Sequence, residues 1–105
     1  EKLMIEYNGE IYELKFNLER IKLVENYLKM PTIADIAMTN GALSISSLET
    51  YFGFCLKKEG SDTFVSRKDG VAICDAILKE KGYLAVNNMV IEKMTQDVPF
   101  LFQGA

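Results

Sequence analysis

Residues 46–56 read Ser-Ser-Leu-Glu-Thr-Tyr-Phe-Gly-Phe-Cys-Leu and carry the clearest structural pattern in the chain. Apolar side chains recur there at positions i, i+3, i+4, i+7 and i+8, which is typical of one face of a helix. They are Leu48, Tyr51, Phe52, Cys55 and Leu56. Ser46 and Glu49 have the spacing of a capping box, and Gly60 is typical of a helix end. The pattern predicts an amphipathic helix from Ser46 to Gly60, in which Gly53 permits close contact with another helix.

Two alternating apolar runs lie on either side of Asn8-Gly9, near the start of the sequence. Both turn residues tolerate the positive φ of a type I′ turn, so this pair is the strongest short signal for a β-hairpin. The alternating residues are Leu3, Ile5 and Tyr7 before the turn and Tyr12, Leu14 and Phe16 after it. We expect an N-terminal hairpin with one face packed and the other exposed.

Four other stretches have apolar residues at helical spacing. We expect helices from Asn17 to Pro31, from Thr32 to Asn40-Gly41, from Ser66 to Gly82 and from about Leu84 to Met94. Asn17 is the expected cap of the first of these helices, and Thr32 with Asp35 and Ser66 with Asp69 form two further capping boxes. The sequence therefore predicts one domain over residues 1–105, of the α+β class and mainly helical, with an N-terminal β-hairpin followed by four or five packed α-helices.

One core is expected where the helical stripes meet. Its predicted members are Leu48, Phe52, Cys55, Val71, Ile77 and Leu78. The two cysteines, Cys55 and Cys74, are too few for a four-ligand zinc site, and we expect buried thiols in a reducing compartment; a disulfide stays open as an alternative. The polar residues 60–65 are the best candidate for a mobile loop.

The composition excludes several classes of function. The 105 residues include 12 basic and 15 acidic side chains and no histidine, so the net charge is −3 at pH 7. This balance argues against binding to nucleic acid phosphates. Without histidine there is no Ser-His or Cys-His pair, and no GxGxxG or Walker spacing indicates a nucleotide site. We expect a protein without enzymatic activity, metal or cofactor.

The hydropathy pattern bears on location. No apolar run approaches the ~18 residues that a membrane-spanning helix needs, and no charged-then-apolar signal segment opens the sequence. We therefore expect a cytoplasmic protein with no membrane partner.

The chain has more apolar residues than one buried face of each helix requires. Phe54 lies off the stripe of the central helix, and the last helix is apolar almost all round. Such helices are either central to a core or covered by a partner. The tail Phe100-Leu101-Phe102 either folds back onto the domain or forms an exposed hook. We expect a homo-oligomer that also binds another protein, and the predicted contact residues are Phe54, Met89, Met94, Phe100, Leu101 and Phe102.

Four stretches in this order carry a resemblance to a known family. Residues 5–16 read Ile-Glu-Tyr-Asn-Gly-Glu-Ile-Tyr-Glu-Leu-Lys-Phe, and residues 46–52 read Ser-Ser-Leu-Glu-Thr-Tyr-Phe. Residues 68–78 read Lys-Asp-Gly-Val-Ala-Ile-Cys-Asp-Ala-Ile-Leu, and residues 97–102 read Asp-Val-Pro-Phe-Leu-Phe. In length, element order and hydrophobic pattern, the chain resembles the small tail assembly chaperones of long-tailed phages and prophages of Gram-positive bacteria.

The resemblance implies a non-enzymatic role in the cytoplasm of the bacterial host. Such chaperones coat the tape measure protein and recruit tail tube subunits during phage tail morphogenesis, and they are absent from the finished virion. The family has no catalytic or cofactor-binding residues to assign here, and many phages also make a C-terminally extended form by ribosomal frameshifting. The alternative is a small adaptor or regulatory domain of mobile-element origin that dimerises through its helices. A fragment of an enzyme whose catalytic groups lie in another chain is a third reading.

Overall fold

A three-stranded antiparallel sheet and five α-helices form the fold in the computed structural model, which describes residues 4–104. The strands are β1 (Ile5–Tyr7), β2 (Glu10–Leu14) and β3 (Leu56–Lys58). The helices are α1 (Leu18–Leu28), α2 (Thr32–Met38), α3 (Ile45–Cys55), α4 (Arg67–Lys81) and α5 (Tyr83–Asp97). The predicted class, α+β and mainly helical with an N-terminal hairpin, is confirmed. The radius of gyration is 12.8 Å.

The N-terminal hairpin forms at the predicted turn. Asn8 and Gly9 both have positive φ, 51° and 78°, as a type I′ turn requires. β1 and β2 pair antiparallel with Ile5 opposite Tyr12. Ile5 and Leu14 are buried, so one face of the hairpin packs on the core as expected. Leu3, the first residue of the predicted alternation, lies outside the described residues.

The central helix is shorter than the sequence predicts. α3 ends at Cys55, and the next residues form β3, with Leu56 opposite Leu14 of β2. The backbone N–H of Lys15 donates to the carbonyl of Cys55 at 2.8 Å, at the point where helix becomes strand. Pairing with β2 satisfies backbone groups on an otherwise open strand edge. This long-range pairing overrides the helical spacing of Leu56 and the helix end predicted at Gly60.

The predicted mobile loop is fixed at its C-terminal side. Phe64 forms a β-bridge with Lys57, and the N–H of Val65 donates to the carbonyl of Leu56 at 2.9 Å. The guanidinium of Arg20, on α1, lies 3.8 Å from the centre of the Phe64 ring. This cation–π contact attaches the end of the loop to the first helix.

Two of the four predicted helix caps are present. Asn17 Oδ1 accepts a hydrogen bond from the N–H of Arg20 at 2.8 Å, and Ser66 Oγ accepts one from the N–H of Asp69 at 3.1 Å. For α3 the cap is Ser44, not Ser46, because Ser44 Oγ accepts from the N–H of Ser47. The fold therefore begins this helix two residues earlier than the sequence suggested.

The second capping box is also wrong, because Asp35 has another role. α2 follows Pro31, and the N–H of Thr32 donates to a carboxylate oxygen of Glu25 at 2.8 Å. Asp35 is buried, and its carboxylate accepts hydrogen bonds from Tyr51 Oη at 2.8 Å and Ser47 Oγ at 3.1 Å. Burial, together with this bond to Asp35, raises the pKa of the Tyr51 hydroxyl. The three polar side chains join α2 to α3 inside the core.

The core lies among the sheet, α1, α3, α4 and α5. Leu48, Phe52, Cys55 and Ile77 are buried as predicted, whereas Val71 and Leu78 are only half-buried. Both cysteines are buried and free, so the burial of the two thiols is confirmed. α5 extends three residues beyond Met94 to Asp97, whose carboxylate accepts a hydrogen bond from the N–H of Phe16 at 3.0 Å. That bond joins the end of the last helix to the end of the hairpin.

The close helix contact expected at Gly53 is present, and Gly70 of α4 faces it. A Cβ on Gly70 of α4 would lie 2.4 Å from the carbonyl oxygen of Phe52 and 2.8 Å from the Cα of Gly53, both on α3. A Cβ on Gly53 would instead meet the flexible Arg67 side chain, with its Cγ at 3.0 Å. The close approach of the two backbones therefore requires glycine at position 70.

We predict that Gly70→Ala destabilises the protein by about 1–3 kcal/mol, which is typical of overpacking, although alanine gains ~1 kcal/mol of helix propensity. The matched control is Gly53→Ala, which has the same propensity gain and whose Cβ would meet Arg67 Cγ at 3.0 Å but no backbone atom nearer than 3.5 Å. We expect the control to be near neutral. Urea denaturation of both variants measures the difference, and equal stability of the two would contradict the backbone contact.

We predict that Tyr51→Phe lowers the free energy of unfolding by about 1–3 kcal/mol, because a buried carboxylate oxygen of Asp35 loses its hydrogen-bond partner. Tyr12→Phe is the control, since the Tyr12 hydroxyl makes no side-chain hydrogen bond within residues 4–104. Chemical denaturation of both variants is the measurement. If Tyr51→Phe loses no more unfolding free energy than Tyr12→Phe, water has replaced the Tyr51 hydroxyl as the donor to Asp35.

Candidate interaction surface

The C-terminal tail combines the two arrangements considered from the sequence. After α5, Val98 is buried and its N–H donates to the carbonyl of Met94 at 2.9 Å. Pro99–Leu101 form a 3₁₀ turn in which Leu101 is half-buried against the core. Phe100 and Phe102 are 50% and 37% exposed. The tail is thus anchored through Val98 and Leu101 and presents two aromatic rings to solvent.

Phe54 takes part in an aromatic and cationic cluster on the helices. It is half-buried, its ring centre lies 5.5 Å from that of Tyr27 of α1, and its carbonyl accepts a hydrogen bond from Arg20 Nη1. The guanidinium of Arg67 lies 4.3 Å from the centre of the Tyr27 ring and donates to its hydroxyl. These contacts join α1, α3 and α4, so much of the Phe54 surface is already covered within the chain.

The two methionines of α5 have different surroundings. Met94 is 0% exposed and belongs to the core, so it presents no surface to a partner in the folded chain. The sequence showed apolar residues almost all round this helix, and the burial of Met94, Val86 and Val90 in the core accounts for many of them. Met89 is half-buried and lines a groove. The six predicted contact residues therefore do not form one patch.

The groove lies between the β1–β2 hairpin and one face of α5 and has a volume of about 670 Å³. Its apolar lining includes Met4 and Ile11 from the hairpin side and Ala85 and Met89 from α5. Glu13, Glu59, Glu92 and Lys93 also line it. The lining residues of α5 recur at helical spacing from Ala85 to Gln96, so they occupy one face of the helix.

Two of the charged groups in the groove have intramolecular partners. The Lys57 ammonium donates to Glu13 at 2.6 Å and lowers the pKa of that carboxyl. Lys93 lies 3.4 Å from Asp97, one turn further along α5. Glu59 and Glu92 are exposed and make no ion pair with another residue in the range 4–104. The groove therefore has a mixed lining, in which apolar side chains lie beside polar ones such as Asn88 and Gln96, and an excess of negative charge.

Sequence reasoning missed a polar contact that fixes the α2–α3 connection. Asn87 of α5 is buried, accepts a hydrogen bond from the N–H of Leu43 at 3.0 Å and donates to the carbonyl of Gly41 at 2.8 Å. The Tyr83 hydroxyl donates to the carbonyl of Leu43 at 2.6 Å. The signal was present, because Asn87 has the spacing of the buried face of α5, where a polar side chain needs a buried partner.

Several exposed apolar side chains were also missed. Met38 at the end of α2 and Leu84 in the first turn of α5 are 73% and 71% exposed, and Leu18 and Ile45 are exposed as well. Their positions at helix ends explain the omission, since periodicity over a whole helix says little about its terminal residues. Single exposed apolar residues are common on protein surfaces.

Two features of the described residues concern metal binding and nucleophilic side chains. No group of three or more Asp, Glu or Cys side chains within residues 4–104 is placed to hold a metal ion. Burial raises the pKa of both thiols to about 12, so they stay protonated near neutral pH and are poor nucleophiles.

None of the described helices is both long and apolar enough to cross a membrane.

Comparison with known proteins adds no relative: no protein-family model matches the chain, and no curated protein or solved structure gives a significant match.

A pair of carboxyl groups crosses the α3–α4 contact. Glu49 of α3 faces Asp75 of α4, and the hydrogen bond between the two carboxyls, with burial, raises the pKa of Glu49 above its ordinary value. The folded state therefore holds this proton more tightly than the unfolded state does. The stabilisation is fully present below the unfolded pKa and is lost as the pH rises through the folded pKa.

We predict that Glu49→Gln is more stable than the parent protein at pH 7, because the fold disfavours the ionised form of Glu49, and that the difference shrinks at pH 4. Glu80→Gln, which removes an exposed carboxyl near the end of α4, controls for net charge. Urea denaturation at the two pH values measures both variants. An identical pH dependence for Glu49→Gln and the control would show that the pair is not coupled.

Proposed function

We propose that the protein is a non-enzymatic chaperone of phage tail assembly, which shields the tape measure protein and recruits tail tube subunits in the cytoplasm of the bacterial host. The family resemblance supplies the biological setting. The observation that carries the proposal is the anchored tail, in which Val98 and Leu101 pack inward while Phe100 and Phe102 stay exposed.

Exposed aromatic rings on a fixed turn suit a chaperone for apolar surface. Phenylalanine buries a large area on contact, and removing apolar surface from water contributes roughly 25 cal/mol per Å². Because the 3₁₀ turn is anchored by buried neighbours, less conformational freedom is lost on binding than for a free tail. The tail therefore presents a ready-made apolar contact for an apolar segment of a partner.

The same apolar contacts support self-association. The net charge of −3 is small, so repulsion between copies is weak. The exposed Met38 and Leu84 favour the second candidate, an adaptor of mobile-element origin that dimerises through its helices. The two candidates differ in their partner, because the adaptor would dimerise without binding the tape measure protein.

We predict that Phe100→Ser with Phe102→Ser weakens capture of the co-encoded tape measure protein at least tenfold. The matched control is Met38→Ser with Leu84→Ser, which also removes two exposed large apolar side chains. Leu84 lies in the first turn of α5, about 20 Å along the helix axis from the tail. Pull-down with purified protein measures capture, and circular dichroism checks folding.

Capture that is equal in the tail variant and the parent protein would contradict the tail contact. No capture by the parent protein would remove the chaperone proposal, and a dimer in sedimentation would then favour the adaptor. A strict monomer that still captures the tape measure protein would remove self-association alone.

A further inference from the structure

The groove between the hairpin and α5 has the dimensions of a peptide site. Its lining on α5 runs from Ala85 to Gln96, a rise of about 16 Å along the helix axis, which equals three helical turns. Met4 and Ile11 form the opposite wall, and Met89 lies on the α5 side. Methionine side chains are flexible and polarisable, and they adapt to the side chains of different partners.

The charges of the groove indicate what fills it. Glu13 is paired with Lys57, and Lys93 shares the Asp97 carboxylate with Lys15. Glu59 and Glu92 have no ion-pair partner within residues 4–104 and are the groups left to act on a ligand. Carboxylates beside apolar side chains favour a partner with basic side chains next to its apolar ones, because complementary charge adds to specificity and to the association rate. An acidic or purely apolar segment lacks this match.

The tail of a second copy does not fit this description. Lys93 is the last basic residue of the chain, and residues 94–105 contain Asp97 and no Lys or Arg. The exposed Phe100 and Phe102 therefore lack the cationic groups that the groove would select. The tail and the groove are accordingly separate contact surfaces with different chemistry.

We propose that this groove binds an amphipathic helical segment of a protein partner, about three turns long, with apolar side chains on one face flanked by Lys or Arg. The inference rests on the proposed function for the identity of the partner, and it specifies the kind of segment by which that partner binds. The helix lies along α5, with its apolar face against Met89 and Ile11 and its basic residues near Glu59 and Glu92, as in other helix-in-groove complexes.

The test uses a labelled 14-residue helical peptide with leucine at positions i, i+4 and i+7 and lysine beside that face, and a second peptide with glutamate in place of lysine. Fluorescence anisotropy measures binding to the full chain. We expect the lysine peptide to bind at least tenfold more tightly than the glutamate peptide. We also expect its affinity to fall as salt is raised, because salt screens exposed charges.

The decisive variant is Glu59→Lys with Glu92→Lys, which should weaken binding of the lysine peptide at least tenfold. Glu19→Lys with Glu80→Lys is the matched control, since it changes the net charge equally and neither residue lines the groove. A second variant, Met89→Ser, tests the apolar wall without changing charge and should also weaken binding. Equal losses in the two charge variants, equal affinity for the two peptides, or no binding of either peptide would overturn the proposal.

The outcomes separate this inference from the proposed function. Phe100→Ser with Phe102→Ser should bind the lysine peptide as the parent protein does. Capture of the tape measure protein without binding of the lysine peptide would overturn the groove and leave the chaperone. Groove-dependent peptide binding without capture would support the groove and overturn the chaperone.

Discussion

The close approach of α3 and α4 at Gly70 is the constraint on which the rest of the fold depends. The two helix backbones meet where Gly70 faces Phe52 and Gly53, and there is no space for a Cβ. Because the two helices lie so close together, the side chains on both sides of the crossing are buried, including Ile73 and Cys74 of α4. A wider crossing would leave voids around Phe52, and voids in a core are costly.

The helix crossing also positions the sheet and the last helix. Because α3 continues directly into β3, the strand that completes the sheet starts from the crossing, and the bond from Lys15 to Cys55 fixes where helix becomes strand. Asp97 then joins the end of α5 to Phe16, beyond the end of β2. The hairpin and α5, which frame the groove, are therefore joined at one end by this bond.

Local patterns were sufficient for much of the fold and for little of the candidate surface. Asn8-Gly9 and the caps at Asn17 and Ser66 were correctly predicted, because each depends on residues close in sequence. The pairing of Leu56 with Leu14 and the burial of Asp35 were missed, because they depend on contacts between distant residues. The candidate interaction surface depends on how α5 packs, which periodicity alone does not specify. This packing determines the exposure of Phe100 and Phe102, the burial of Met94 and the position of the groove.

The tail and the groove would act on a partner through different forces. Contact with the exposed rings of Phe100 and Phe102 is driven by removal of apolar surface from water, which has little dependence on salt at moderate concentration. Contact at Glu59 and Glu92 involves exposed charges, and salt screens their attraction for a ligand over a Debye length of about 8 Å at physiological ionic strength. A partner that carries both an apolar stretch and a basic amphipathic segment would engage the two surfaces together. The second contact would then form at high effective concentration, so two individually weak contacts are enough for stable capture.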